Sequence, residues 1–230
     1  MSDNYLKIEK QRQQLVISYN SLPELDRAIG QLISVIYTPV SRTQILTCLE
    51  HTKLSGEKPL IAATLKPYLD RLLASEILVS IGKYNIQINP LIAEIATRDA
   101  VRMGRLGVMN AAINKHLPIA QDGSGFRNFN NYSEFIREVR LGLYGNDLKF
   151  IKKQFDDYHR YSHSRETISL EELWQQICNN PFDADWFTTV IPDLAEQIIE
   201  SILKYSLEHL TPADAAFAAL PATIEHSTQP

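Results

Sequence analysis

Arg98, Arg102 and Arg105 stand at i, i+4 and i+7 in a stretch without proline, and on one unbroken helix that spacing brings three guanidiniums to one face. Such a row suits phosphate. Each group is permanently charged and offers several N–H donors, and contacts of this kind hold a nucleic-acid backbone without reading its bases. Lys66 and Arg71 lie in a leucine-striped segment, and Lys83 stands beside Tyr84 between two short apolar runs. These seven residues are the candidate nucleic-acid contacts. The plain alternative is a solvated helix face. From Ser21 to Pro90 seven basic residues stand against six acidic ones, a net charge of +1, and the whole chain carries −4. Polyanion binding therefore requires a local basic face.

Other arrangements carry less chemistry. Gly123-Ser124-Gly125 is followed by Phe126 and Arg127, not by the Lys and Ser/Thr of a phosphate-binding loop, and reads as a turn. His159 and His163, four apart, would share a face on a helix, but no third metal ligand is near and they read as solvated. Cys48 sits among apolar residues and reads as core. Asp157, of the Asp156-Asp157 pair, reads as surface charge, and Asp183 and Asp185 as braces for the turn before Trp186. No nucleophile, base and acid fall into a recognisable constellation, so the chain is expected to be non-catalytic, with no metal and no cofactor.

Length and composition bound the rest. The chain has 230 residues, 44% of them hydrophobic and 22% charged, which suits one large or two small domains. Its two cysteines, Cys48 and Cys178, form no disulfide framework. Met1–Gln14 has no apolar core of a secretory signal, and no apolar run reaches bilayer length. The expectation is a soluble, cytoplasmic protein with no membrane partner.

Residues 1–20 read as a polar lead-in, with a short strand or helix at Leu15–Tyr19. Ser21-Leu22-Pro23-Glu24 has the form of a capping box opening a helix that stops before Pro39. Ser41-Arg42-Thr43-Gln44 repeats that logic for a second helix, followed by a loop over His51–Lys58 and a short turn at Pro59–Ala63. Thr64 reads as the cap of a third helix, striped by Leu65, Leu69, Leu72 and Leu73 and ending near Ala74–Ser75. The period then changes. Ile77–Ile81 and Tyr84–Ile88 alternate about Gly82-Lys83, which predicts a β-hairpin.

Leu91–His116 is helical again and, weakened by Gly104 and Gly107, is either two helices or one kinked one. Residues 118–131 read as a flexible loop. Helices are expected over Tyr132–Leu143, Asn146–Tyr158, Leu170–Cys178 (capped by Ser169), Pro192–Leu210 and Ala213–Leu220, with loops at His159–Thr167 and Asn179–Phe187. The domains are then a lead-in (1–20), a three-helix-plus-hairpin domain (21–90), a helical domain (91–220) and a tail or linker (221–230).

Three helices running into a hairpin, with Leu65-x-x-x-Leu69-x-x-Leu72-Leu73 entering the strand at Ile77, resemble the winged-helix family. The resemblance implies a mainly α fold: a winged helix-turn-helix followed by an α-helical bundle or short solenoid. Asn180-Pro181-Phe182-Asp183-Ala184-Asp185-Trp186-Phe187, a long helix to Leu210 and then Thr211-Pro212, placed after such a module, look like the N-terminal region of large bacterial Swi/Snf-type helicases. That likeness implies a non-catalytic accessory region that contacts double-stranded DNA and serves a C-terminal ATP-dependent motor domain or a protein partner. The motor's own motifs are absent from these residues. The competing expectations are a stand-alone protein-interaction adaptor and a winged-helix transcriptional regulator.

Overall fold

The computed structural model describes residues 3–54, 60–161 and 169–219, without the side chains of 3, 4 and 161. Parts of the expected loops at 51–58 and 159–167, of the turn at 59–63, and the whole tail from 221 lie outside the described residues. The chain is mainly α-helical with small antiparallel sheets, and it divides into two compact units, Met1–Ala120 and Gln121–Pro230.

The first unit begins with α1 (Asp3–Asn20), where the sequence suggested a polar lead-in with only a short strand or helix at Leu15–Tyr19. This helix has no apolar stripe to announce it. It is held at a few points: Tyr19 is fully buried, Leu15 nearly so, and Arg12 Nε donates to the Leu91 carbonyl at 3.2 Å. Lys, Glu, Gln and Arg are good helix formers, so little more is needed. Ser21 does not cap the next helix. Its hydroxyl donates to the Ser18 carbonyl at 2.8 Å, closing α1, while Pro23 takes the cap position of α2 (Glu24–Ile36). Ile29, Leu32, Ile33, Val35 and Ile36 of α2 are all buried and form the centre of the core.

At Tyr37, with φ 63°, the chain reverses into β1 (Val40–Ser41) and α3 (Arg42–Thr52). Here the expected capping box is present: the Gln44 amide donates to Ser41 Oγ at 3.3 Å and the Ser41 amide to Gln44 Oε1 at 3.0 Å. α4 (Ala62–Ala74) starts two residues before Thr64. Thr64 instead accepts from the Ile61 amide at 2.9 Å, working back from the first turn. Leu65, Leu69 and Leu72 are buried as expected.

The hairpin is formed by β2 (Leu78–Ile81) and β3 (Asn85–Ile88), in register Leu78↔Ile88 and Ile81↔Asn85. Gly82, with φ 63°, supplies the left-handed turn residue. β1 adds to the free edge of β3, Val40 opposite Ile86, giving the order β1-β3-β2. A two-residue strand is too short to leave an alternating pattern in the sequence.

Leu91–His116 is two helices, α5 (Ala93–Arg102) and α6 (Leu106–His116). Gly104, with φ 67°, ends the first, and the Arg105 amide closes the turn onto the Ala100 carbonyl at 2.8 Å. The expected boundary at Pro90 is not where the packing divides. α5 lies against α2 and α6 against α3, so both belong to the first unit.

Within the expected loop at 118–131, β4 (Ala120–Gln121) pairs with β5 (Arg127–Asn128). Asp122 Oδ1 organises their turn, accepting from the Ser124 and Phe126 amides at 2.8 and 2.9 Å. The second unit continues with α7 (Tyr132–Tyr144), α8 (Leu148–Tyr161), α9 (Leu170–Cys178), the single turn α10 (Ala184–Phe187), α11 (Pro192–His209) and a last helix at 214–219. Asn131, Ser169 and Asp183 cap α7, α9 and α10 through their side chains. α11 packs along α9, burying Leu194, Ile198, Ile199 and Ile202 with Leu173 and Ile177.

Candidate nucleic-acid interface

The structure separates the seven sequence candidates into three groups. Lys66, Lys83 and Tyr84 are on the surface, around the sheet edge and α4. Arg71 is turned aside. Arg98, Arg102 and Arg105 do not form a stripe.

Ser41, Arg42 and Thr43 at the start of α3, Leu73 of α4, and Ser80, Lys83, Tyr84, Asn85 and Ile86 of the hairpin line a groove of about 360 Å³. Local structure sets the backbone position of each cation. The capping box sets the first turn of α3 and so the position of Arg42. The three-residue turn at Gly82 carries Lys83 and Tyr84 outward. Tyr84 is 71% exposed, and Lys83 Nζ lies 5.1 Å from its ring centroid. Lys66 is joined to this face through Asp70, whose carboxylate takes Lys66 at 2.8 Å and Arg42 at 3.9 Å. The hydrogen bond from Lys66 holds the Asp70 carboxyl below its ordinary pKa. Arg42, Lys66 and Lys83 against Asp70 leave this face with an excess of positive charge.

Sequence reasoning did not single out Arg42. Its signal was available: a basic residue directly after an N-cap serine lies in the first helical turn, where backbone N–H groups also point outward.

Arg71 grips Asp26 with two hydrogen bonds, Nε to Oδ1 at 3.0 Å and Nη2 to Oδ2 at 2.9 Å. That bond raises the Arg71 pKa and ties α4 to α2, where Asp26 is 1% exposed. Arg71 is thus a fastener. The expected arginine face is lost for a different reason. Arg98 is buried, and the helix breaks at Gly104 before it reaches Arg105. Arg105 donates to Gln31 Oε1 at 2.8 Å and pairs with Glu24, while Arg102 alone is exposed at the end of α5.

These side chains border a buried polar cluster centred on Asp99. The carboxylate accepts from Tyr19 Oη at 2.7 Å, from Arg27 Nε and Nη2 at 2.6 Å each, and from Gln31 Nε2 at 2.6 Å. Burial pushes the Asp99 carboxyl up, and the bonds from Arg27, Tyr19 and Gln31 more than reverse this, leaving it below its ordinary value. Burial and the Asp99 charge push the Tyr19 phenol up. The cluster joins α1, α2 and α5, with every oxygen of Asp99 occupied.

Elsewhere Cys48 is buried as expected, and so is Cys178. Asp157 is not surface charge: it is fully buried and accepts from the Arg127 amide at 3.1 Å and Lys153 Nζ at 2.5 Å. Asp183 caps α10 by accepting from the Trp186 amide at 2.9 Å. His163 lies outside the described residues. Among those described, no three His, Cys, Asp or Glu side chains come together as a metal site, and no helix is long and apolar enough to cross a membrane.

No family model, no curated protein and no solved structure matches the chain.

Proposed function

We propose that the first unit carries a winged-helix module that holds the backbone of double-stranded DNA through Arg42, Lys66, Lys83 and Tyr84. The observation that carries this reading is the groove in which the capped first turn of α3 faces the hairpin tip, so that Arg42 and Lys83 flank one channel. The element order α2-β1-α3-α4-β2-β3, with β1 on the outer edge of the hairpin, supports the winged-helix reading. The chemistry is phosphate neutralisation by flexible cations beside an exposed aromatic ring. With a single acid among these cations the binding is weak and without sequence preference. The chain then serves an activity housed elsewhere, as an accessory region of an ATP-dependent translocase would.

Fluorescence anisotropy with a labelled duplex tests this. Binding is expected at low salt and should fall steeply towards physiological salt. The double variant R42A/K83A should lose two phosphate contacts, lowering the slope of log affinity against log salt by about two. Duplex binding that ignores salt, or none at low salt, sinks the proposal and leaves the groove to a protein partner.

A further inference from the structure

α8 of the second unit presents one face to solvent and the other to the core. Ile151, Gln154, Asp157 and Tyr158 are buried, whereas Lys149, Lys152, Lys153, Asp156 and Arg160 are exposed. Positions i, i+3, i+4, i+7 and i+11 fall on one side of a helix. Four cations therefore share a rigid face with one exposed acid. At 1.5 Å rise per residue they extend over about 16 Å. Phe126, the residue that leads from the β4–β5 turn into β5, lies against this face. The Arg160 guanidinium carbon is 3.7 Å from its ring centroid and Lys153 Nζ is 5.7 Å away. Asp157 beneath takes Lys153 at 2.5 Å and also the Arg127 amide, so the aromatic turn and the basic helix are pinned to each other.

We infer that this face of α8 is a second nucleic-acid contact, binding the phosphate backbone of a duplex independently of the groove in the first unit. Charge complementarity selects the partner: four cations along about 16 Å, interrupted by Asp156 alone on the exposed face, match a backbone carrying one charge every few ångströms. A membrane surface is a poorer match. Helix binding to lipid draws on an apolar face as well as a basic one, and the apolar face of α8 is spent on the core.

The test uses the whole chain, a labelled duplex and anionic phosphatidylserine vesicles. K149A/K152A changes only exposed side chains, and an unchanged melting temperature confirms an intact fold. It should weaken duplex binding at low salt severalfold and lower the salt slope by about two. K10A, an exposed lysine of the first unit, serves as the control and should leave both unchanged. If K149A/K152A binds like wild type, the inference fails, whatever R42A/K83A does. If K149A/K152A weakens binding and R42A/K83A does not, the α8 contact stands and the groove reading fails. Vesicle binding without duplex binding, or no binding to either, overturns both.

Discussion

Tyr19 Oη donates to Asp99 Oδ2 across 2.7 Å, joining the last turn of α1 to the middle of α5. Neither residue lies near an alternating or catalytic pattern. This contact is one of the few that hold a polar N-terminal helix without an apolar stripe to the core. Removing the hydroxyl by Tyr19→Phe keeps the packing and deletes one bond to a charged acceptor. Such bonds contribute about 1.5–3 kcal/mol, and urea unfolding should show a loss in that range. Tyr84→Phe, at the exposed hairpin tip, should leave stability unchanged.

The same cluster sets an acid limit. The folded Asp99 carboxyl lies below its ordinary value because its three donors outweigh burial. A depressed carboxyl contributes stability that is complete above its unfolded pKa, about 3.9, and that is lost as pH falls through the lower folded value. Unfolding midpoints should be flat near neutral pH and fall below about pH 4. Asp99→Asn should be less stable at neutral pH and should show a smaller further loss on acidification. An acid limb unchanged in that variant would assign the effect to other carboxylates.

Arg98 and Arg102 differ by one helical turn and should differ in kind. Arg98 is 1% exposed, so Arg98→Ala removes a large buried side chain and should cost roughly 2–4 kcal/mol. Arg102→Ala, at an exposed position, should cost no more than about 0.5 kcal/mol. Chemical denaturation of both separates them directly.

Asp157 holds the β4–β5 turn to α8. Asp157→Ala leaves the Arg127 amide and Lys153 without that carboxylate, at a cost of about 2 kcal/mol. Limited trypsin digestion should then cut after Arg127 faster than in wild type. Equal rates would mean that the turn is held by other contacts.

What the sequence revealed depended on how local its cause was. The boundaries of α3, the hairpin and α9 follow from caps and periodicities contained within a dozen residues, and Ser41, Gly82 and Ser169 mark them directly. β1 depends on a distant partner, β3, and nothing near it announces it; α1 has only its helix-forming residues and the short element at Leu15–Tyr19 as local signal, and its contact with Asp99 is distant. The charged candidates show the same limit. Helical spacing placed Arg98, Arg102 and Arg105 on one face, but it took Gly104 at φ 67° to break that face and the core to claim Arg98. Arg71 is held by Asp26, forty-five positions away, and nothing near Arg71 signals that pairing. Lys83 and Tyr84 were legible because a hairpin tip exposes its residues whatever the rest of the fold does. Asp157 has one local partner, Lys153, which suits a surface pair equally well; its burial depends on the Arg127 amide, thirty positions away.

The central claim is that the groove between the first turn of α3 and the hairpin holds duplex backbone. Titrating isotope-labelled protein with a short duplex at low salt, and following backbone amide shifts, tests it most directly. The largest changes are expected at Arg42, Thr43, Lys83, Tyr84 and Lys66, reversed by added salt. Changes confined to other surfaces of the first unit, or none at saturating duplex, would contradict it.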